Sequence, residues 1–172
     1  MHWPELQEGD YIPYQKSYLD RLPTHGDITT LMAKNIINTE NFLESIPADK
    51  LSYRYAEGKW TIKEIVGHLI DTERIMCYRA LCIARGEKQS LPGFEEAEYA
   101  AASNANQREF SEIIDEYVLV RQSTIAMVRS FTPEMIQARG IANNHPITVN
   151  ALCRVIAGHE LHHLAIIKER YL

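Results

Sequence analysis

In four separate stretches of this sequence the apolar side chains return every three or four residues, the spacing that lines them along one face of an α-helix. Ile28, Leu31, Met32, Ile36, Phe42 and Leu43 do so in the first, from about 27 to 45, and Pro47 follows as a stop. The second opens on Thr61-Ile62-Lys63-Glu64, a capping box in which the hydroxyl and the carboxylate satisfy free amides at a helix start. It carries Ile62, Ile65, Val66, Leu69, Met76, Ala80 and Ile83, then meets Gly86, a natural left-handed terminator, so helix is expected from about 62 to 85. The third, about 107 to 130, holds Phe110, Ile113, Ile114, Tyr117, Val120, Ile125 and Val128. The fourth begins after Thr148 as N-cap, with Ile147 and Leu152 placed as a hydrophobic staple, and runs from about 149 to 170. A helix with one apolar stripe must bury it against another, so the expected fold is all-α, a four-helix bundle.

The connections constrain how those helices run. About 20 residues separate the second from the third, enough extended chain at about 3.3 Å per residue to span a helix of roughly 36 Å. Those two helices can therefore run parallel, which gives an up-down-down-up bundle with the second and fourth antiparallel. Leu91-Pro92-Gly93-Phe94 and the Glu/Ala segment after it predict a turn and a short helical piece inside this crossing. Thr132-Pro133-Glu134 reads as cap and first turn of another short helix ending near Gly140. Residues 1–23 hold Pro4, Pro13 and Pro23 and no helical period, so they are expected to form an arm over the body without a regular element.

With 172 residues, 45% of them hydrophobic, the chain can bury one sizeable core, and a single domain over 1–172 is expected. The net charge of -5 is spread along the chain and no cluster of Lys and Arg with interleaved aromatics is present, which argues against a nucleic-acid partner. No apolar run approaches the roughly 20 residues of a membrane helix, and the start lacks a signal peptide's charged and apolar regions, so no membrane association and a cytoplasmic location are expected. Cys77, Cys82 and Cys153 form no CxxC pair and are odd in number, which predicts reduced thiols in the core.

Leu152, Val155, Ile156, His159, His163, Ile166 and Ile167 form one stripe of the last helix, so two histidines stand where the pattern asks for Leu or Ile. They lie about 40° apart around the axis and one turn apart along it, so their imidazoles can converge. His68 falls beside core Leu69, about 9 Å into the second helix, at a height an antiparallel fourth helix would match. Lone buried histidines usually bond a carbonyl or a carboxylate. Three without partners would cost a few kcal/mol each, whereas one divalent cation satisfies them all and holds them neutral. His68, His159 and His163 are therefore the expected metal ligands. His162, about 60° from His159, turns toward the edge of the stripe, and His2, His25 and His145 read as surface residues.

Residues 159–163, His-Glu-Leu-His-His, also fit the H-E-x-x-H pattern of zinc peptidases with Glu160 as base, but only nine residues follow, with Glu169 the sole carboxylate, which makes a third downstream ligand hard to supply. Asp71 reads either as an orienter of His68 or as a surface acid, and Glu160 is equally ambiguous. Arg79, about 20° from His68 around the second helix, points either toward a cavity and an anionic group or at a neighbouring acid. Tyr11, Tyr14 and Tyr18 line a pocket mouth or pack the arm onto the helices. Imidazole ligands suit Zn, Ni, Cu and Fe alike, so the ligand set does not name its ion.

His68-Leu69-Ile70-Asp71-Thr72-Glu73-Arg74 followed by His-x-x-x-His near the C-terminus, with Tyr53-Arg54-Tyr55-Ala56-Glu57-Gly58-Lys59-Trp60, Leu91-Pro92-Gly93-Phe94 and Gly158-His159-Glu160-Leu161-His162-His163-Leu164, resembles the DinB/YfiT-like superfamily of metalloenzymes over nearly the whole chain. The resemblance implies an up-down-down-up four-helix bundle, often a homodimer, holding Zn, Ni or a similar cation on three histidines that fall on His68, His159 and His163. It also implies thiol chemistry, since members include transferases that join bacillithiol or mycothiol to electrophiles and a mycothiol-dependent isomerase. The leading expectation is an enzyme whose ion activates a low-molecular-weight thiol as co-substrate for transfer to a small-molecule electrophile. A hydrolase using water on the ion, or a non-catalytic metal- or ligand-binding domain, are the alternatives.

Overall fold

A computed structural model describes residues 3–23 and 26–172. Its helices are α1 (Lys16–Leu19), α2 (Ile28–Glu44), α3 (Ile62–Ala84), α4 (Glu96–Ala102), α5 (Phe110–Arg129), α6 (Pro133–Gln137) and α7 (Val149–Arg170). Strands β1 (Ser90–Leu91), β2 (Arg139–Ala142) and β3 (His145–Thr148) form a small sheet in the order β1-β2-β3. The long helices begin where a side chain can take up their first free amides. Asp27 accepts from Thr29 and Thr30 at α2, and Thr148 accepts from the Ala151 amide at α7. At α3 both halves of the capping box form between Thr61 and Glu64. Its far end closes on Gly86 at φ 93, where the Glu87 amide reaches back to the Cys82 carbonyl at 3.0 Å.

α2, α3, α5 and α7 form an up-down-down-up four-helix bundle. Asn106 just before α5 bonds Glu64, Arg74 pairs with Glu116, and Cys77 meets Thr124, so α3 and α5 run parallel. The Tyr171 hydroxyl bonds the Trp60 carbonyl while His159 meets His68, so α7 runs antiparallel to α3. Thr39 to Glu160 and Phe42 to Lys168 set α2 parallel to α7.

Two apolar clusters fill the bundle. One gathers Met32, Met76, Ile83, Val128, Leu152 and Val155, and the other Leu43, Ile62, Val66, Ile113, Tyr117 and Ile167. Between them every long helix turns polar at the same level, through Asn35 and Thr39 of α2, Thr72 and Glu73 of α3, Arg121 and Thr124 of α5, and His159, Glu160 and His163 of α7, all buried. This layer holds the chemistry.

Two expectations need correction. The stretch expected as a helix to about Gly140 followed by a loop is a shorter helix and then a β-hairpin, because Asn143 and Asn144, at φ 50 and 62, make the two-residue left-handed turn that a tight hairpin needs. The arm expected to lack regular structure contains a 3-10 turn at Pro13–Gln15 and the one-turn α1, held against α7 by tertiary contacts. No helix among the described residues is long and apolar enough to cross a membrane. The three cysteines are free thiols, Cys153 buried and the others partly so.

Candidate metal centre

The loop before α3 fixes the histidine on its second turn. Arg54 donates to the Lys59 carbonyl at 2.5 Å and to Glu64 at 3.1 Å, and Glu64 also takes the Thr61 amide. Tyr55 and Tyr53 stand edge-on to Tyr171, the residue that follows α7. Thus pinned, the loop lays the Trp60 ring 4.7 Å from the His68 ring and 6.5 Å from that of His163. Of the aromatic, basic run of residues 53–60, Trp60 is therefore a wall of the centre, and Tyr53, Arg54 and Tyr55 hold the loop that carries it.

His68, His159 and His163 converge on one point. Nε2 of His159 lies 3.1 Å from Nε2 of His68 and 3.0 Å from Nε2 of His163, and one ring nitrogen from each residue falls within 4.8 Å of the others. Their exposures are 2%, 3% and 9%, which leaves little water to share the work. Protons satisfy such a cluster poorly. Each neutral imidazole carries one N–H and one lone pair. Nε2 of His159 has two neighbours but one hydrogen or one lone pair to offer, so both contacts can be met only by sharing it in a weaker three-centre bond. A cation accepts all three lone pairs at once. Ligands about 2.1 Å from a common ion sit roughly 3.0 to 3.4 Å apart, the spacing of the two close pairs.

Burial keeps these imidazoles neutral, the form that binds metal. It pulls the pKa of His68 down to about 4 and that of His163 to about 3, the latter aided by His68 and His162. His159 is driven well below the usual histidine range, by burial first and by its histidine neighbours second. The sign for folding follows, because an unfolded chain takes up protons below about pH 6.5 that the folded chain refuses. Stability of the metal-free protein is expected to fall as pH drops from 6.5 to 5, the contribution of each of the three histidines to the slope rising from about half a proton to close to one, or about 1.4 kcal/mol per pH unit near pH 5. Urea titrations across that range check it. An unchanged slope in the double variant His68→Leu, His163→Leu counts against it.

α1 closes the centre opposite Trp60. The Tyr18 ring stands edge-on to His159 at 5.1 Å and to His162 at 5.0 Å. The seat is Gly158, where a Cβ would overlap the Tyr18 carbonyl, 2.7 Å from its carbon. Helix propensity alone predicts that Gly158→Ala stabilises α7 by about 1 kcal/mol. The overlap predicts the reverse, a loss of about 1 to 3 kcal/mol and an arm that proteases cut. Thermal melts and limited proteolysis decide between the two signs.

The remaining candidates divide. His162 is half-buried beside Tyr18 and His163, with Nδ1 unpartnered. Nδ1 of His68 faces the Thr72 hydroxyl at 3.3 Å, so Thr72 takes the orienting place considered for Asp71, which lies 3.9 Å from Arg74. Glu160 does not face the histidines as a base. One of its oxygens accepts from Thr39 at 2.6 Å and from the Tyr117 hydroxyl, and the other accepts from Arg121 at 2.6 Å. His145 is exposed, while His2 and His25 lie outside the described residues.

Sequence reading missed Arg121 and Glu73. Arg121 is 1% exposed, bonds Glu73 through Nε and Nη2 at 2.8 to 3.0 Å, and bonds Glu160 through Nη1. Burial works against its charge, but Glu160 and Glu73 outweigh burial and hold its pKa well above the usual value. Thr124 adds a bond to Glu73 at 2.6 Å. All four bundle helices are thereby tied together one residue from His159. The available signal was Arg121 itself, a cation on the α5 stripe of Tyr117, Thr124 and Val128.

Residues 33–167 match the family model of the DinB superfamily. A protein of Oceanobacillus iheyensis named "Putative metal-dependent hydrolase" is 26% identical over 127 residues, 73% of either chain. YfiT from Bacillus subtilis, described as a probable metal-dependent hydrolase with an unusual four-helix bundle topology, superposes with a TM-score of 0.75 at 15% identity, over 96% of this chain and 90% of its own. The mycothiol-dependent maleylpyruvate isomerase gives 0.66 at 11% identity, over 85% of this chain and 61% of its own. At these identities the two structures establish the fold.

Proposed function

We propose that this chain, which belongs to the DinB superfamily, is a metal-dependent enzyme whose His68, His159 and His163 hold one divalent transition-metal ion, Zn or Ni foremost, and whose nucleophile is a low-molecular-weight thiol passed to a small-molecule electrophile. The observation that carries it is the convergence of three buried, neutral imidazoles on a point where protons satisfy them poorly and one cation would satisfy them all. When bound, such an ion supplies Lewis acidity that draws the pKa of a thiol or a water toward neutrality.

The chain's own groups supply the rest. Trp60 and Tyr18 wall the ligands with aromatic surface, which limits water and strengthens electrostatic attraction inside. Thr72 meets the far nitrogen of His68 and orients its ring. Thiol is preferred over water because the adjacent carboxylate, Glu160, is occupied by Arg121, Thr39 and Tyr117 and is not free to act as a base. A thiol ionises near pH 8.5 unaided and needs less help than water, whose own pKa is about 15.7. Hydrolysis is the second reading, favoured by the names of the Oceanobacillus relative and of YfiT. We add that the protein forms a homodimer, since Tyr78, Tyr99 and Leu119 are about half exposed or more; light scattering tests this.

The deciding assay is turnover of a model electrophile by the metal-loaded protein with and without added thiol. Saturable dependence on a thiol, with at least about tenfold less activity in its absence, is the expected result. Full turnover in water alone overturns thiol transfer in favour of hydrolysis.

A further inference from the structure

A second site stands out at the other end of α3. A cavity of about 100 Å³ lies between α3, the arm, the hairpin and the segment before α4, and Arg79, Glu96, Tyr14, Met76, Phe94 and Ile147 are among its walls. Arg79 is 8% exposed, yet no carboxylate pairs with it among the described residues. Nη2 donates to the Pro92 carbonyl at 2.6 Å, the guanidinium lies 5.8 Å over the Phe94 ring, and the buried Nε has no partner. A buried cation without a counter-ion is costly, and burial pulls its pKa down. Glu96, half-buried in the same cavity, has neither a hydrogen bond nor an ion pair among the described residues; burial, and then Glu95, push its pKa up. The two opposite charges do not pair with each other.

The cavity is built rather than incidental. The Asn143 amide donates to the Leu91 carbonyl at 2.8 Å, and the Asn143 side chain lies so close over Gly93 that a Cβ there would sit 2.8 Å from its Cγ. The run Leu91-Pro92-Gly93-Phe94, which the metal centre does not use, is thereby clamped to the hairpin. That clamp offers the Pro92 carbonyl and the Phe94 ring to Arg79.

We propose that this cavity binds a small zwitterion of the α-amino-acid type, its carboxylate on Arg79, its ammonium on Glu96 and its side chain toward Met76 and Ile147. A simple anion meets Glu96, a simple cation meets Arg79, and a neutral molecule satisfies neither, whereas a zwitterion answers both. The site is about 16 Å along α3 from His68, by helical rise. It does not rest on the metal reading.

Calorimetric titration of the untagged protein with L-alanine, propionate and ethylamine tests it. Alanine is expected to bind at least about tenfold more tightly than either half-molecule. Arg79→Met should remove binding of alanine and propionate. Glu96→Gln, a change at a half-exposed position that leaves the core intact, should reduce alanine to the level of propionate. His159→Ala should leave alanine binding unchanged, which separates this site from the metal centre. Propionate binding as tightly as alanine, alanine affinity unmoved by Glu96→Gln, or no alanine binding at about 10 mM overturns the proposal.

Discussion

Arg121→Met is expected to destabilise the folded protein by about 3 to 5 kcal/mol, because it leaves two carboxylates buried in the bundle with their cation gone. Glu73 and Glu160 are 4% and 1% exposed and lie on different helices, so neither can turn to water without opening the bundle. A domain of this size has roughly 5 to 15 kcal/mol of stability in all, so the single change removes about a fifth of it or more. Removing all three charges should cost far less, since a buried ion cluster offsets its own desolvation poorly and apolar or neutral replacements are often tolerated. The triple variant Glu73→Gln, Arg121→Met, Glu160→Gln is therefore expected to recover most of the loss. Urea unfolding of the single and triple variants measures both. Equal losses in the two would mean that lost packing of the long Arg121 stem, rather than stranded charge, sets the cost.

His159→Ala is expected to leave the helices intact and the chain metal-free. Among the three ligands His159 is the one within 3.1 Å of both others, so its removal deletes the ligand that the other two share as a neighbour. Loss of an outer partner of a ligand already costs about 10- to 100-fold in metal affinity, and loss of a central ligand should exceed about a hundredfold. Elemental analysis of untagged protein, beside circular dichroism, is the measurement. Close to one ion per chain in the wild type, near zero in His159→Ala and an unchanged content in His162→Ala is the expected pattern. Retention of metal by His159→Ala, or wild-type protein that cannot be loaded with Zn or Ni, sinks the three-histidine centre.

The histidines were legible in the sequence because helical period makes a strong demand. On the α7 stripe every neighbour of His159 and His163 is apolar, so a polar ring there has to be explained. Arg121 broke the same rule on α5 and carried the same message. Its partners, however, come from α3 and α7, and nothing in one sequence says which distant acid meets which buried cation. Glu160 shows the limit from the other side, since its place beside His159 suggested chemistry and its atoms hold the bundle together. The hairpin was signalled only by the Asn143-Asn144 pair, whose tolerance of left-handed backbone also suits a loop. α1 is four residues long, too short to persist alone, and exists through its seat on Gly158.

The polar layer between the two apolar clusters also fixes alignment. Helices packed by apolar stripes alone can slide past one another by a turn and still meet Leu with Ile. Here a slip of α5 by one turn would carry Arg121 about 5 Å out of reach of both acids and set Tyr117 or Ile125 against them. The same slip of α7 would put Val155 or, in the other direction, His163 in the place of His159, and in either direction an apolar residue, Ile156 or Leu164, in the place of Glu160 beside Arg121. The layer works as a vernier, readable at one setting only, so the competing registers are excluded by the same atoms that gather the three imidazoles.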